Sequence, residues 1–122
     1  MMNEIIERYA NFADGLITSF CYSGSLYERE IWVEIKCMNS QRDYEWDIIK
    51  LIFLEVVLFR FNENEKVSST LINSALLKEE NGLAIIDFFP LILGNNDLQV
   101  NVNSDFIIKC KTISYELIMQ CN

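Results

Sequence analysis

The chain has 122 residues, of which 51% are hydrophobic and 12% aromatic. This length and composition predict one globular domain over residues 1–122 with a core of its own, and they exclude a disordered tail. Eighteen acidic against ten basic residues give a net charge of −8, which argues against direct binding to nucleic acid or an anionic membrane, because both require surplus Lys and Arg.

The first predicted element is a short helix over residues 3–12. Asn3 is suited to be its N-cap, and one helical stripe then carries apolar side chains, namely Ile5, Ile6, Tyr9 and Phe12. Ala13-Asp14-Gly15 is expected to end the helix. Residues 16–22 follow as a first strand, and residues 23–25 as a turn.

The second predicted strand, residues 30–38, alternates between two faces. One face is apolar and carries Ile31, Val33, Ile35 and Cys37, and the other carries Trp32, Glu34 and Lys36. Such alternation is typical of a strand with one buried and one solvated side. A polar turn at residues 39–43 then leads into the next strand.

The third predicted strand, residues 44–61, cannot be regular along its whole length. Glu45 and Asp47 share their parity with apolar residues from Ile49 onward, so we expect the strand to bend or bulge near Glu55. Residues 48–56 also fit a helical period, but the β-branched and aromatic run that follows favours a strand.

The remaining pattern predicts further antiparallel strands. Asn81-Gly82 is a strong hairpin signal between strands at 75–78 and 83–89, preceded by a brief helical turn capped by residues 68–70. A short strand is expected at 98–102. The last strand starts at Phe106, and its alternation slips near Thr112. The fold class is therefore mainly β (α+β), an antiparallel sheet of about six to seven strands with one or two short helices.

Residue types limit the chemistry. Histidine is absent, which removes Ser-His-Asp and Cys-His mechanisms and most zinc sites. Cys21, Cys37, Cys110 and Cys121 form no C-x-x-C pair, and no phosphate-binding glycine motif occurs. The carboxylate pairs at 63/65 and 79/80 fall in predicted turns. Carboxylates in turns are usually solvated, and without burial they lack the shifted pKa that acid/base catalysis needs. We therefore predict no enzyme activity, no cofactor and no metal.

Two further features concern location. The N-terminus carries acids and lacks the apolar run of a signal peptide, which predicts a cytoplasmic chain with reduced thiols. The longest apolar stretch, residues 48–59, contains Lys50 and Glu55 and is too short to span a bilayer.

Acidic residues cluster around large aromatics on the second and third strands. If these strands form a hairpin about residues 39–43, their solvated faces lie side by side, and carboxylates flank the aromatics. Acids around aromatics suit a protein-binding surface, because charge attracts a basic partner and aromatic side chains hold it. An ordinary solvated sheet face with scattered aromatics is the alternative. The predicted protein-binding residues are Glu28, Glu30, Trp32, Glu34, Asp43, Tyr44, Glu45, Trp46 and Asp47.

Three segments resemble a group of small β-rich bacterial proteins. Residues 12–20 resemble its opening His-Asp-Gly type of triplet and apolar strand, with Ala13 where the triplet often has His. Residues 48–61 are similar to its apolar strand with a basic-aromatic end, and residues 103–111 to its closing strand. Many members are immunity proteins of polymorphic toxin systems, including contact-dependent growth inhibition. The resemblance implies stoichiometric inhibition of a cognate toxin, often a basic nuclease.

Two other classes of function remain open from the sequence. A small β protein could bind an apolar ligand among its eight Phe and five Tyr, or act as a carboxylate-based enzyme. A homo-oligomer could also bury the exposed aromatics against a copy of the chain. A deep pocket with inward carboxylates would favour ligand binding or catalysis, and an acidic, aromatic outer face would favour protein binding.

Overall fold

A computed structural model describes residues 2–63, 70–95 and 97–121. In chain order the elements are the helix α1 (Met2–Tyr9), a 3-10 turn (Ala10–Phe12), β1 (Leu16–Gly24), β2 (Arg29–Asn39), a second 3-10 turn (Ser40–Arg42), β3 (Glu45–Phe61), β4 (Leu76–Glu80), β5 (Leu83–Asp87), β6 (Leu91–Ile92), β7 (Leu98–Gln99) and β8 (Phe106–Gln120). The predicted cap at Ser68 and Ser69 lies outside the described residues, as does Glu65.

Six strands form one antiparallel sheet in the order β1-β2-β3-β8-β5-β4, and β6 and β7 pair as a separate two-stranded sheet. The predicted fold class, mainly β and antiparallel with short helices, is confirmed. The last strand of the sheet in the chain, β8, lies between β3 and β5, so it joins the N-terminal meander to the β4–β5 hairpin.

The predicted helical stripe packs against the sheet. Ile5, Tyr9 and Phe12 are fully buried in the same core cluster as Ile35 of β2, and Ile6 is partly buried. The predicted N-cap is wrong: the helix begins at Met2, so Asn3 lies inside the first turn. Burial of the amphipathic stripe stabilises the helix, and it determined where the helix begins more strongly than a capping side chain did.

The two long strands, β3 and β8, bend together where the sequence predicts irregularity. Glu55 has a positive φ of 53°, and the register of the β3–β8 pair shifts between Val56 and Leu58. In β8, Lys111 and Thr112 are both exposed between two buried residues, so its alternation slips as expected. Because both strands change parity opposite one another, the sheet curls while its inner side stays apolar on both sides of the bend.

The curled sheet encloses an aromatic cluster. The ring of Phe106 lies 5.4 Å from Phe20 of β1, 5.0 Å from Phe61 of β3 and 4.8 Å from Phe88, measured between centroids. The first and last strands of the sheet are also linked, since the segment just before β4 forms an isolated bridge from Leu71 to Leu16 of β1. The core therefore extends through both halves of the sheet.

The predicted strand at 98–102 is too long, because β7 ends at Gln99. The reason is the buried carboxylate of Asp87, which accepts hydrogen bonds from the backbone N–H of Asn101 at 2.8 Å and of Phe89 at 2.9 Å. These bonds hold the chain in a loop. The Asn101 N–H, which a longer strand would need for pairing, is used by the Asp87 carboxylate. Among the described residues, no helix has the length and apolar character needed to cross a bilayer.

The β4–β5 hairpin confirms the Asn-Gly prediction: Asn81 and Gly82 both have positive φ, 55° and 78°, as a type I′ turn requires. Replacing Gly82 by alanine should lower the free energy of unfolding by about 1–2 kcal/mol, because a side chain is strained at this φ although a Cβ would meet nothing within 4 Å. Gly94→Ala is the matched control, since a Cβ there also meets nothing and its φ is not left-handed. Equal urea midpoints for the two variants would contradict this expectation.

Candidate functional site

The outer side of β2 and β3, facing away from α1, carries both tryptophans of the chain. We call the stretch from Trp32 and Ile52 to Met38 and Trp46 the tryptophan face. The register pairs Trp32 with Ile52 and Met38 with Trp46 across the two strands. Each tryptophan is partly exposed. This face is half apolar and solvent-accessible, and its two Trp and one Met are residue types enriched at protein interfaces.

Each tryptophan lies beneath a lysine from the neighbouring strand. Lys50 Nζ is 4.9 Å from the ring centroid of Trp32, and Lys36 Nζ is 5.9 Å from that of Trp46. At these distances the ammonium groups interact with the ring faces and limit the rotamers of the lysines. Each ring therefore has a lysine ammonium group against its face.

A polar row crosses four strands through the centre of the tryptophan face. Glu34 of β2 lies opposite Ser19 of β1 on one side and Lys50 of β3 on the other, and Lys50 in turn lies opposite Glu116 of β8. The Ser19 hydroxyl donates to the Glu34 carboxylate at 2.9 Å. Lys50 thus lies between two carboxylates, and the centre of the face is mixed in charge rather than acidic.

Four of the predicted site residues lie on the outer side, namely Glu30, Trp32, Glu34 and Trp46. β2 and β3 form the predicted hairpin, so their outer faces lie side by side, but the acidic residues are spread along them. The ladder pairs Glu30 with Leu54 at one end and Asn39 with Glu45 at the other, nine positions apart along β2. At about 3.3 Å per residue this is about 30 Å, so Glu30 and Glu45 stand at opposite ends of the tryptophan face, and Glu34 lies between them beside Lys50.

Asp47 is a correction to the predicted site, because it lies on the inner side and is only 1% exposed. Arg42 Nη2 donates to its Oδ1 at 2.6 Å, Asn39 Nδ2 donates to its Oδ2 at 2.8 Å, and the Tyr9 hydroxyl reaches the same Oδ2 at 3.4 Å. This carboxylate therefore fixes the β2–β3 turn and anchors α1, and it is not available to a partner.

The other predicted residues near this turn are exposed. Asp43 and Tyr44 both have positive φ, 57° and 60°, and the Tyr44 N–H donates to the Asn39 carbonyl at 2.9 Å. Glu45 has the parity of Asp47 but lies at the sheet end, where it accepts a hydrogen bond from Arg42 Nη1 at 3.0 Å. These three residues form an exposed acidic rim beside Trp46.

The opposite end of the tryptophan face opens into a cleft of about 470 Å³. Two predicted residues, Glu28 and Glu30, line it together with Arg29, Leu54 and Glu55. The cleft is open to solvent and forms where β2 stops pairing with β3 and β3 bends. Among the described residues, no group of three His, Cys, Asp or Glu is placed to hold a metal ion.

Five residues of the tryptophan face were absent from the predicted site, namely Lys36, Met38, Ile48, Lys50 and Ile52. The signal for the three on β3 was the parity of that strand: since Asp47 shares the side of Ile49 and Leu51, the outer residues had to be Trp46, Lys50 and their even-numbered neighbours. Cys21 was also not predicted there, although β1 places this exposed residue directly opposite Trp32.

Buried thiols give the fold a pH dependence. Burial raises the pKa of Cys110 from 9.0 to about 11, and burial and then the Asp47 carboxylate raise the pKa of Cys37 still further. The unfolded thiols ionise near pH 9 while the folded ones stay protonated, so stability is complete below pH 9 and falls as the pH rises toward 11. Urea unfolding at pH 8 and 10 should show a loss of about 1 kcal/mol for each thiol.

A Cys110→Ala variant provides the control for this pH dependence. It is less stable at both pH values because it leaves a cavity, but its loss between pH 8 and 10 should be smaller by the share of one thiol. An identical loss in the variant and the parent chain would show that Cys110 does not titrate as the structure indicates.

Comparison of the chain with protein-family models, with curated proteins and with solved structures found no match.

Proposed function

We propose that the chain is an immunity protein, which binds one cognate basic toxin domain, of nuclease type, and neutralises it by stoichiometric occlusion in the cytoplasm. The observation that supports this proposal most directly is the tryptophan face, where Lys36 and Lys50 lie over two partly exposed rings. The resemblance described above supports the same function.

The two tryptophan rings are the expected anchors of binding. Trp is strongly enriched among the residues that dominate the binding energy of protein interfaces, because a large ring buries much area with few rotatable bonds. Trp32 and Trp46 lie on neighbouring, paired strands of the sheet. This chain therefore loses little backbone conformational entropy when a partner binds here. The lysine stems beside the rings add apolar area while their charged ends remain at the surface.

The charge of the chain favours a basic partner. The chain carries a net charge of −8, and acidic side chains stand at both ends of the tryptophan face, with Glu28 and Glu30 at one end and Asp43 and Glu45 at the other. Such a field accelerates the approach of a basic protein and disfavours an acidic one. The cleft beside Glu28 and Glu30 is large enough to receive a Lys or Arg side chain of the partner.

Inhibition follows from occupancy. A nuclease that binds the polyanionic backbone of its substrate needs a cationic surface, since phosphate contacts supply most of the affinity. An acidic protein that covers this surface, or a surface beside it, excludes the substrate both by volume and by charge. No bond is made or broken in this process, so one copy of the protein inhibits one toxin.

The test is whether the gene immediately upstream encodes a toxin domain and whether this chain binds that domain directly. We expect a 1:1 complex by calorimetry and rescue of cell growth on co-expression. In a Cys121→Ser background, maleimide labelling of Cys21, which lies beside Trp32, should slow at least tenfold in the complex. Normal growth inhibition in the presence of this protein, or the lack of any upstream toxin gene, would contradict the proposal.

A pair of charge variants separates a local acidic site from net charge. Glu30→Lys with Glu34→Lys should reduce the association rate more than Glu79→Lys with Glu80→Lys, which makes the same change in net charge at the β4–β5 hairpin. The difference between the variants should shrink at high salt. Equal rates for the two double variants would place the interface away from the tryptophan face.

A further inference from the structure

The turn that follows α1 consists of left-handed residues, none of which is glycine. Ala10, Asn11 and Phe12 have φ angles of 50°, 56° and 56°, and Asp14 has a φ of 59°. Asn and Asp adopt this region as single residues at little cost, whereas Ala and Phe are strained there because the Cβ approaches the following carbonyl oxygen. Three such residues in succession persist only where the surrounding structure holds them.

Two buried rings hold this turn. Tyr9 and Phe12 are each 1% exposed, and their rings stack with centroids 6.2 Å apart. The turn brings both rings into the core. The strain is therefore maintained by the burial of α1, and it is relieved when α1 leaves the sheet.

α1 is attached at the end of the sheet where β2 turns into β3. The Ser40 hydroxyl, in the turn between these strands, lies 2.6 Å from the carbonyl oxygen of Glu7 and 3.0 Å from that of Arg8. The Tyr9 hydroxyl reaches the Asp47 carboxylate at 3.4 Å. A helix of eight residues is not stable by itself, so α1 remains helical in place only through such contacts and through burial.

Tyr9 covers a buried thiol. Cys37 lies directly opposite Asp47 in the β2–β3 register, on the inner side of the sheet, and it is 0% exposed. Burial raises the pKa of the Tyr9 hydroxyl, and Asp47 and then Cys37 raise it further, which places Tyr9 close to both groups. The Cys37 thiol therefore lies beneath the C-terminal end of α1.

The sheet has buried aromatic contacts that do not involve α1. Ring contacts among the described residues form two groups. Tyr9 belongs to the first group, with Phe12 and Tyr115. The second group is the aromatic cluster, in which Phe106 contacts Phe20, Phe59, Phe61 and Phe88. Its members come from the strands and from the segment after β5, so the sheet keeps packed side chains of its own when α1 is absent.

We infer that α1 is a releasable cover, which leaves the sheet as a unit about the strained turn while the six-stranded sheet stays folded, and that its release uncovers Cys37. The released state is a minor one, because Ile5, Tyr9 and Phe12 lose their burial in it. The inference is independent of toxin binding, since α1 lies on the inner side of the sheet and the tryptophan face on the outer side.

Alkylation of Cys37 by iodoacetamide tests the inference. The thiolate sulfur displaces iodide, and mass spectrometry locates the adduct at Cys37 in a Cys21→Ser, Cys121→Ser background. Where closing is faster than alkylation, the rate gives the equilibrium constant for opening. We expect this constant to exceed that of global unfolding, measured with urea, by at least about tenfold. It should also depend less steeply on urea, because release of α1 exposes less surface than unfolding does.

Two core variants separate local release from global unfolding. Ile5→Val removes one buried methylene from α1 and should accelerate alkylation about two- to tenfold. Phe61→Leu weakens the aromatic cluster, where Phe61 lies 4.8 Å from Phe20 and 5.0 Å from Phe106 between centroids. It should lower the free energy of global unfolding but change the alkylation rate less than about twofold, because the cluster stays packed in the released state.

Ala10→Gly tests the strain in the turn. Glycine adopts a φ of 50° without strain, so this variant should alkylate at least about threefold more slowly. Ala13→Gly is the matched control, because Ala13 has an ordinary φ of −52° and the same substitution there should not slow the reaction.

Three results would overturn the inference. Equal constants for opening and for global unfolding would show that Cys37 is exposed only when the whole chain unfolds. Acceleration by Phe61→Leu as large as that by Ile5→Val would show the same. Equal rates for Ala10→Gly and Ala13→Gly would show that the turn stores no strain. Circular dichroism establishes that each variant is folded before the rates are compared.

Discussion

Replacing Asp47 by alanine should lower the free energy of unfolding by about 3 kcal/mol. The substitution leaves Arg42 and Asn39 without the buried carboxylate to which they donate at 2.6 and 2.8 Å, and it removes a partner of the Tyr9 hydroxyl. Removing one member of a buried ion pair leaves the other uncompensated, which is among the costliest single changes in a protein. The measurement is urea unfolding followed by tryptophan fluorescence.

Glu45→Ala is the matched control. Glu45 binds the same arginine, at 3.0 Å, but its side chain is 55% exposed, so its loss should cost less than about 1 kcal/mol. Asp47→Asn keeps the shape and one acceptor oxygen and should fall between the two. If Asp47→Ala and Glu45→Ala were equally stable, the buried network would not hold the β2–β3 turn as the structure indicates.

Replacing Trp32 by alanine should weaken binding of the cognate toxin domain by at least about 30-fold, the equivalent of 2 kcal/mol. Trp32 lies at one end of the tryptophan face, opposite Cys21 on β1 and Ile52 on β3, and Lys50 lies over its ring. The change removes the largest apolar area of the tryptophan face and also releases the lysine. Calorimetric titration measures the dissociation constant.

Tyr27→Ala tests whether the position of the aromatic ring matters. Tyr27 is 90% exposed in the β1–β2 turn, outside the tryptophan face, so its truncation should change the dissociation constant less than twofold. Both variants should keep their urea midpoints close to that of the parent chain. Normal binding by Trp32→Ala together with lost binding by Tyr27→Ala would move the interface to the turn.

The strands were predictable because their signals are local. Alternation over residues 30–38 defines β2, and Asn81-Gly82 defines the β4–β5 hairpin. The bend near Glu55 was predictable for the same reason, since a strand cannot keep one parity both polar and apolar. The short length of β7 was not, because it depends on the Asp87 carboxylate, which lies fourteen residues before Asn101 in the chain.

The candidate site was predictable only in part. The two tryptophans follow from the alternation of each strand, but the separation of the acidic residues depends on the register, which pairs Glu34 with Lys50. Asp47 was assigned to the solvent because of its charge, although its parity matched that of Leu51. Its buried partners, Arg42 and Asn39, come from the turn, and the identity of a residue alone does not reveal such a partner.

The central position of β8 has a consequence for synthesis on the ribosome. Its two neighbours in the sheet, β3 and β5, are synthesised first. Neither can complete its pairing until β8, the last strand, has left the ribosome. Until then the nascent chain contains the β1–β3 meander and the separate β4–β5 hairpin. Each of them exposes an apolar strand that is not yet paired with β8. Completion of the fold is therefore a late, long-range event, and a ribosome that stalls before residue 106 would release a chain prone to aggregate.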